Sequence, residues 1–312
     1  MKIVYAGTPE FAVAPLKALI EHGFEIVGVI TQEDKPQGRK GVLTPPPVKA
    51  FATECGLPVL QPHKIKDEIE TVRALGGELL VTCAYGQILT QEVLDVFNKG
   101  VWNIHAGLLP QYRGASPMQS CLLAGETQTG VCVMKTELGL DCGDILLEER
   151  TEITPTETCG ELAARLSQMG ANVIVKAVKL LETGAYRLTP QSTENVRIVR
   201  KITKEQAKID FSKTAKEIVN LVRAMNPDPV AFGVVAGAQI NVYRAEIAEA
   251  GAEFTGAANG EILTDKPKRG LLVKCGDGAV KLVEVQASGG KRMSGGDFLN
   301  GRKVQKGQKF EC

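Results

Sequence analysis

Short apolar runs alternating with helical segments constrain this chain more than any other feature. Lys2-Ile3-Val4-Tyr5-Ala6 ends at Gly7, Thr8-Pro9-Glu10 turns the chain, and Phe11, Leu16, Leu19 and Ile20 follow at helical spacing until Gly23. Ile26-Val27-Gly28-Val29-Ile30, Val59-Leu60, Leu79-Leu80-Val81-Thr82-Cys83 and Val101-Trp102-Asn103-Ile104 repeat the pattern, with helical segments between them. Continuously apolar strands are buried on both faces, and strands separated by helices pair in parallel. The pattern predicts an α/β fold with a Rossmann-like, doubly wound, mostly parallel sheet. Ligands of such sheets bind beyond the carboxyl ends of the strands. Only Gly7 occupies the first turn, so the GxGxxG fingerprint is missing and a nicotinamide-dependent dehydrogenase is disfavoured.

The second part of the chain reads differently. A helical segment from about Glu157 to Thr183 is followed by a polar stretch, Leu188 to Lys208, made basic by Arg197, Arg200, Lys201, Lys204 and Lys208. After a helix near Thr214 to Met225, Gly, Asn and Asp separate short runs such as Ile240-Asn241-Val242-Tyr243, Leu271-Leu272-Val273-Lys274 and Val280-Lys281-Leu282-Val283. That spacing predicts a small antiparallel, OB-like β-barrel. The expected division is a catalytic domain at 1–189, a basic linker at 190–206 and a barrel at 207–312. Charge follows it: residues 1–189 carry 17 Lys and Arg against 22 Asp and Glu, and residues 190–312 carry 20 against 14. A basic domain appended to a mildly acidic one suits a polyanion held by one half and acted on by the other, although a solvated lysine-rich surface has the same composition.

No apolar run reaches the roughly 18 residues of a membrane span. The chain enters a strand directly instead of a basic and then apolar leader, so a cytoplasmic protein is expected. Eight cysteines without a CxxC pair or a nearby histidine cluster speak against zinc or a disulfide framework. Cys83, Cys121, Cys132 and Cys275 read as reduced core residues, and no metal is expected.

Three histidines narrow the search for chemistry. His22 ends an amphipathic helix and His63 follows a proline in a polar stretch, whereas His105 stands at a strand end two residues after Asn103. Side chains alternate along a strand, so Asn103 and His105 point to the same side. An amide N–H and an imidazole N–H aimed at one oxygen would polarise a carbonyl and hold the oxyanion formed on nucleophilic attack, an effect worth about 3 kcal/mol per donor. Asp141, in Gly139-Leu140-Asp141-Cys142-Gly143-Asp144, could orient the imidazole, raise its pKa, or take a proton through water. Taken singly, Asn103 and His105 read more readily as caps of a strand end and Asp141 as an Asx turn.

Their context is more specific. Gly7-Thr8-Pro9-Glu10-Phe11-Ala12, Ala84-Tyr85-Gly86-Gln87-Ile88-Leu89, the run from Asn103 through Leu109-Pro110-Gln111-Tyr112-Arg113-Gly114 to Pro117, and the Asp141 loop occur in the order seen in formyltransferases that use 10-formyltetrahydrofolate. Farther on, Lys208-Ile209-Asp210-Phe211, Asn226-Pro227 and Gly290-Lys291-Arg292-Met293-Ser294 leading into Phe298-Leu299-Asn300-Gly301-Arg302 resemble the branch of that family acting on methionyl-initiator tRNA. The resemblance covers nearly the whole chain. It implies formyl transfer from 10-formyltetrahydrofolate to the α-amine of methionyl-initiator tRNA by a monomer, with Asn103, His105 and Asp141 catalytic. It further implies folate contacts from Gly107, Leu108, Leu109 and Pro110, with Tyr85, Gly86, Gln87, Ile88 and Leu89 walling the pterin pocket. The family usually has Ser where this chain has Gly107.

The segment Thr31 to Pro47 shows no clear periodicity and carries Gly38-Arg39-Lys40-Gly41. A loop with adjacent cations can grip phosphates, and the resemblance makes Arg39 and Lys40 the expected tRNA contacts. Gly41 and Val42 stand where the family often has lysines. Arg113 has no evident role beyond fixing its own loop by hydrogen bonds. Relatives that formylate amino sugars on nucleotide carriers, or a small ribonucleotide amine, are the main alternative, and a noncatalytic nucleic-acid-binding protein is the other. The basic second domain favours tRNA over a small nucleotide, and the intact trio argues against a binding relic.

Overall fold

Strand β1 (Lys2–Gly7) runs through a 3-10 turn into helix α1 (Val13–Glu21) and then β2 (Glu25–Ile30). A hairpin of β3 (Lys35–Gln37) and β4 (Val42–Thr44) leads to α2 (Pro47–Glu54), where Pro47 occupies the first turn and its missing N–H costs no helical bond. There follow β5 (Val59–Leu60), α3 (Ile69–Ala74), β6 (Leu79–Cys83), α4 (Gln91–Leu94), β7 (Val101–His105) and β8 (Arg113–Gly114). Next come α5 (Pro117–Leu123), β9 (Gln128–Lys135), β10 (Ile145–Glu152), α6 (Cys159–Thr183) and β11 (Ile198–Val199). The computed structural model describes residues 1–38, 41–249, 256–301 and 304–311, so Arg39, Lys40 and Arg302 lie outside the described residues.

The chain divides into two units. One comprises Met1–Pro117, Gln128–Glu152 and Ala163–Val199, and the other Met118–Thr127, Ile153–Leu162 and Arg200–Cys312. Residues 190–199 of the polar stretch thus belong to the first unit and 200–206 to the second.

In the first unit, seven strands form one sheet in the order β10-β9-β7-β6-β1-β2-β5. β5, β2, β1, β6 and β7 are parallel, and β9 and β10 extend the sheet in antiparallel fashion. Read from β5, the parallel strands have the chain order 3-2-1-4-5, so the winding reverses between β1 and β6. A crevice opens beyond the strand ends at such a reversal. On one face, Val4, Ala6, Ile30, Leu80 and Val101 pack with Ile65, Val72, Val93 and Phe97. On the other, a methyl added at Gly170 of α6 would lie 3.2 Å from Ile104 and 3.8 Å from Pro15, which shows how closely α6 and α1 approach the strands. Burial on both faces explains why the strands read as continuous apolar runs. Each large aliphatic side chain buried there contributes about 1.5–3 kcal/mol.

The segment 31–47, without periodicity in sequence, contains the β3–β4 hairpin. Three-residue strands whose Val42 and Leu43 are more than half exposed bury no face, so no alternation is imposed on them. The hairpin base is tied by Lys49 Nζ, which donates to both Asp34 carboxylate oxygens at 2.8 Å and to Gln61 Oε1 at 2.6 Å.

The second unit contains α7 (Ala215–Ala224), opened by a capping box between Thr214 and Glu217, then β12 (Ala231–Val235) and β13 (Ala238–Ile247). β14 (Leu271–Lys274), β15 (Ala279–Ala287), β16 (Met293–Ser294) and α8 (Gly295–Asn300) complete it. The strands pair as β12-β13-β15-β14. Single bridges Ile262–Val273, Glu261–Lys309 and Val235–Phe310 return from β14 to β12 and close a small antiparallel barrel. Phe211, Phe298, Phe310, Val242 and Leu282 fill its core, with the Phe211 and Phe310 rings 5.0 Å apart. No helix among the described residues is long and apolar enough to cross a membrane.

Candidate active site

The carboxyl ends of β1, β2 and β6 are joined by their own polar groups. Thr8 Oγ1 donates to the Tyr85 carbonyl at 2.8 Å, Gln32 Nε2 donates to the same carbonyl at 3.3 Å, and Gln32 N donates to Thr8 Oγ1 at 3.3 Å. One strand over, Asn103 and His105 close β7. In register they face Met134 and Cys132 of β9, and Asn103 pairs with Thr82 of β6.

Thr82 settles the orientation of the Asn103 amide. Its hydroxyl donates to Asn103 Oδ1 at 2.8 Å, so the amide oxygen is taken and the Nδ2 hydrogens face elsewhere. Among the described residues they have no protein acceptor, and Asn103 is partly exposed. His105 is 4% exposed and faces an acceptor on each side. Nε2 donates to the Tyr112 carbonyl at 3.2 Å, and Nδ1 lies 3.5 Å from Asp141 Oδ2. Only the imidazolium satisfies both acceptors at once. Burial nevertheless pulls the His105 pKa below 6.5, against the Asp141 charge and the Tyr112 carbonyl, which raise it. The expected raising by Asp141 is present but is outweighed.

Asp141 reaches this position from a loop at positive φ, with its Oδ2 accepting from Gly114 N at 2.8 Å. Gly114 is itself at φ +113°, and a Cβ there would lie 2.3 Å from the Val199 carbonyl, so only glycine permits β8 to approach β11. Arg113 N and Ala115 N donate to the carbonyls of Arg197 and Val199 at 2.8 and 3.0 Å. The polar stretch after Pro190 therefore straps the turn that carries Arg113. Gln191 completes the arrangement by bonding Arg113 and the Asp141 loop together.

The residues expected to meet folate divide by environment. A methyl at Gly107 would lie 3.2 Å from His105 Nε2, so glycine leaves the space beside that nitrogen open. Leu109 is buried with Cys132 and Met134, while Leu108 and Pro110 are partly exposed. Tyr85 buries its side chain in the core beneath the sheet, where burial pushes its phenol well above its ordinary value and its oxygen has no hydrogen-bond partner. Gln87 is spent on the neighbouring loop, accepting from Ile65 N at 2.8 Å and donating to the Pro62 carbonyl at 3.0 Å. Leu89 packs partly against the core, Gly86 is exposed, and Ile88 is 88% exposed. Among the described residues, no three His, Cys, Asp or Glu side chains are grouped to hold a metal.

Thr82, Gly114 and Gln191 were not singled out from sequence. Thr82 carried a signal, as the polar residue in an otherwise apolar strand. Gln191 carried none, lying in a polar stretch read as a linker.

Residues 1–178 match the formyl transferase family model, and residues 201–303 match that of the formyl transferase C-terminal domain. The chain belongs to the formyl transferase family. Among formyl transferases, it is 43% identical over 314 residues to the methionyl-tRNA formyltransferase of Neisseria meningitidis serogroup A, covering 99% of this chain and 100% of that one. It is 45% identical over 307 residues to the enzyme of the same name from Chromohalobacter salexigens, covering 97% and 94%. Solved structures show the same fold at lower identity. An N-formyltransferase from Helicobacter canadensis, in complex with folinic acid and dTDP-3-aminofucose, superposes with a TM-score of 0.68 at 17% identity, over 94% of this chain and 100% of that one. The methionyl-tRNA formyltransferase from Clostridium thermocellum superposes with a TM-score of 0.54 at 19% identity, over 80% and 94%.

Proposed function

We propose that this formyl transferase moves the formyl group of 10-formyltetrahydrofolate to the α-amine of methionyl-initiator tRNA, giving formylmethionyl-tRNA. The observation that carries the chemistry is the cluster at the end of β7, where Asn103 offers unspent N–H donors beside a buried His105 that faces Asp141. Full-length relatives at 43–45% identity that bear the name methionyl-tRNA formyltransferase support the acceptor.

The α-amine attacks the formyl carbon, which becomes tetrahedral, and the carbonyl electron pair moves onto the formyl oxygen. Asn103 Nδ2 holds this oxyanion together with His105 Nε2. The Nε2 donor now points at a neutral carbonyl at 3.2 Å. An oxyanion outcompetes that acceptor because a charge-assisted bond is about twice as strong. Asp141 stabilises the imidazole as negative charge grows beside it and accepts the amine proton through water. The oxyanion electron pair then re-forms the C=O bond as the C–N10 bond to folate breaks, and N10 takes up the amine proton, returned through water by Asp141. No metal takes part in these steps.

Gly107 to Pro110 and the loop from Tyr85 to Leu89 form the folate side of the crevice. Leu109 and Tyr85, whose side chains are buried, contribute backbone groups, and the exposed Ile88 offers an apolar surface to the pterin. Arg39 and Lys40 grip the acceptor end of the tRNA. Catalysis belongs to residues 1–189, and the basic stretch 190–206 and the barrel 207–312 bind tRNA phosphates. The protein works in the cytoplasm as a monomer. Offered methionyl-initiator tRNA and a dTDP-linked amino sugar in one mixture with the formyl donor, the protein should formylate the tRNA. Formylation of the sugar alone would overturn the assignment of acceptor.

A further inference from the structure

Asp141 meets His105 from a backbone conformation that a side chain disfavours. Its φ is +45°, a region that residues with a Cβ occupy only where neighbours hold them. The neighbour here is Gln191. Its Nε2 donates to the Asp141 carbonyl at 2.9 Å and to the Gly143 carbonyl at 2.7 Å, spanning the loop on both sides of Cys142. Its Oε1 accepts from Arg113 Nε at 3.0 Å and from Arg113 Nη2 at 2.8 Å. A guanidinium can only donate, so Arg113 engages the amide through oxygen alone, and both amide hydrogens are turned toward the loop carbonyls. Arg113 adjoins Gly114, whose N–H holds Asp141 Oδ2. The carboxylate is thus fixed through its side chain and its backbone by one connected set of bonds.

We propose that Gln191, locked in orientation by Arg113, is the positioning residue that holds the Asp141 loop where its carboxylate faces His105. Gln191 touches no reacting atom and acts through Asp141. The inference rests on the reading of Asn103, His105 and Asp141 as the catalytic group. A glutamate at 191 would still accept from Arg113 but could not donate to the loop, and a leucine would do neither.

The test uses the full chain and its imidazoles. With only three histidines, His105 is assigned by the loss of its signal in His105→Gln, and its NMR titration is followed in wild type and Gln191→Leu beside kcat and KM for formyl transfer. As the carboxylate withdraws from Nδ1, the His105 midpoint should move down. Gln191→Leu and Gln191→Glu should each lower kcat about ten-fold, the scale of one lost hydrogen bond, with KM for both substrates within about two-fold. Arg113→Met should reproduce part of the loss by freeing the amide to turn. If Gln191→Leu does not fold, Gln191→Met carries the same comparison. An unchanged His105 midpoint overturns the inference whatever the rates. A midpoint that moves in a protein whose wild type transfers no formyl group supports the positioning role and removes the proposed function instead.

Discussion

At the residue scale the site depends on how few choices its polar groups have. Asn103 can present N–H groups to a substrate because Thr82 takes its oxygen. Thr82→Val should lower kcat by about three- to ten-fold, the worth of one neutral hydrogen bond, and Thr82→Ser should restore it, as steady-state kinetics of formyl transfer would show. Equal rates for Thr82→Val and Thr82→Ser would mean that the hydroxyl does not orient the amide. His105 adds a pH dependence of stability. Because burial lowers its folded pKa below 6.5, the unfolded chain binds the proton more readily. Its contribution is present above the unfolded value and is lost as pH falls through the folded one. The urea midpoint should therefore drop between about pH 7 and pH 5, and less steeply in His105→Gln, which has no proton to gain. That Asn103 and His105 lie together at a strand end was legible from strand parity, and that Asp141 lies on a loop from its neighbouring glycines. The direction of the His105 shift was not, because burial is a property of the packed sheet.

Among elements, the strap from Gln191 to Val199 is the least expected from sequence. Gly114→Ala would force β8 away from β11, where the Val199 carbonyl lies 2.3 Å from the added carbon. The strain of positive φ alone costs about 1 kcal/mol or more. A lowered thermal midpoint and a larger fall in kcat than in folate affinity are expected. A variant with normal stability and rate would show that the strap does not support the Asp141 loop. The parallel strands were legible because burial on both faces leaves continuous apolar runs. Helix α6 was legible from its length and apolar periodicity, with a start within two residues of Glu157. The β3–β4 hairpin and the strap were not legible. Both are short, bury little apolar surface, and are held by backbone bonds and side chains such as Asp34, Lys49 and Gln61, which leave no periodic trace.

Across the whole molecule, positive charge gathers after residue 189, where 20 Lys and Arg stand against 14 Asp and Glu. If those cations neutralise phosphates, log KM for tRNA should rise linearly with log salt concentration as counterions are released. The KM for the formyl donor should rise far less. Equal salt dependence for the two substrates would place tRNA recognition outside the basic region. The barrel was legible as short strands between turn residues, whereas its closure was not, because single bridges at Ile262 and Phe310 close it instead of a full strand.

The most direct test of the proposed chemistry is a formylation assay with 10-formyltetrahydrofolate and methionyl-initiator tRNA, comparing wild type with folded Asn103→Ala and His105→Ala. Wild type should formylate the methionine rapidly, Asn103→Ala should lose about 10²–10³ in kcat, the scale of a removed oxyanion donor, and His105→Ala should lose a comparable amount. Undiminished transfer by either variant would rule out the oxyanion role of Asn103 and His105.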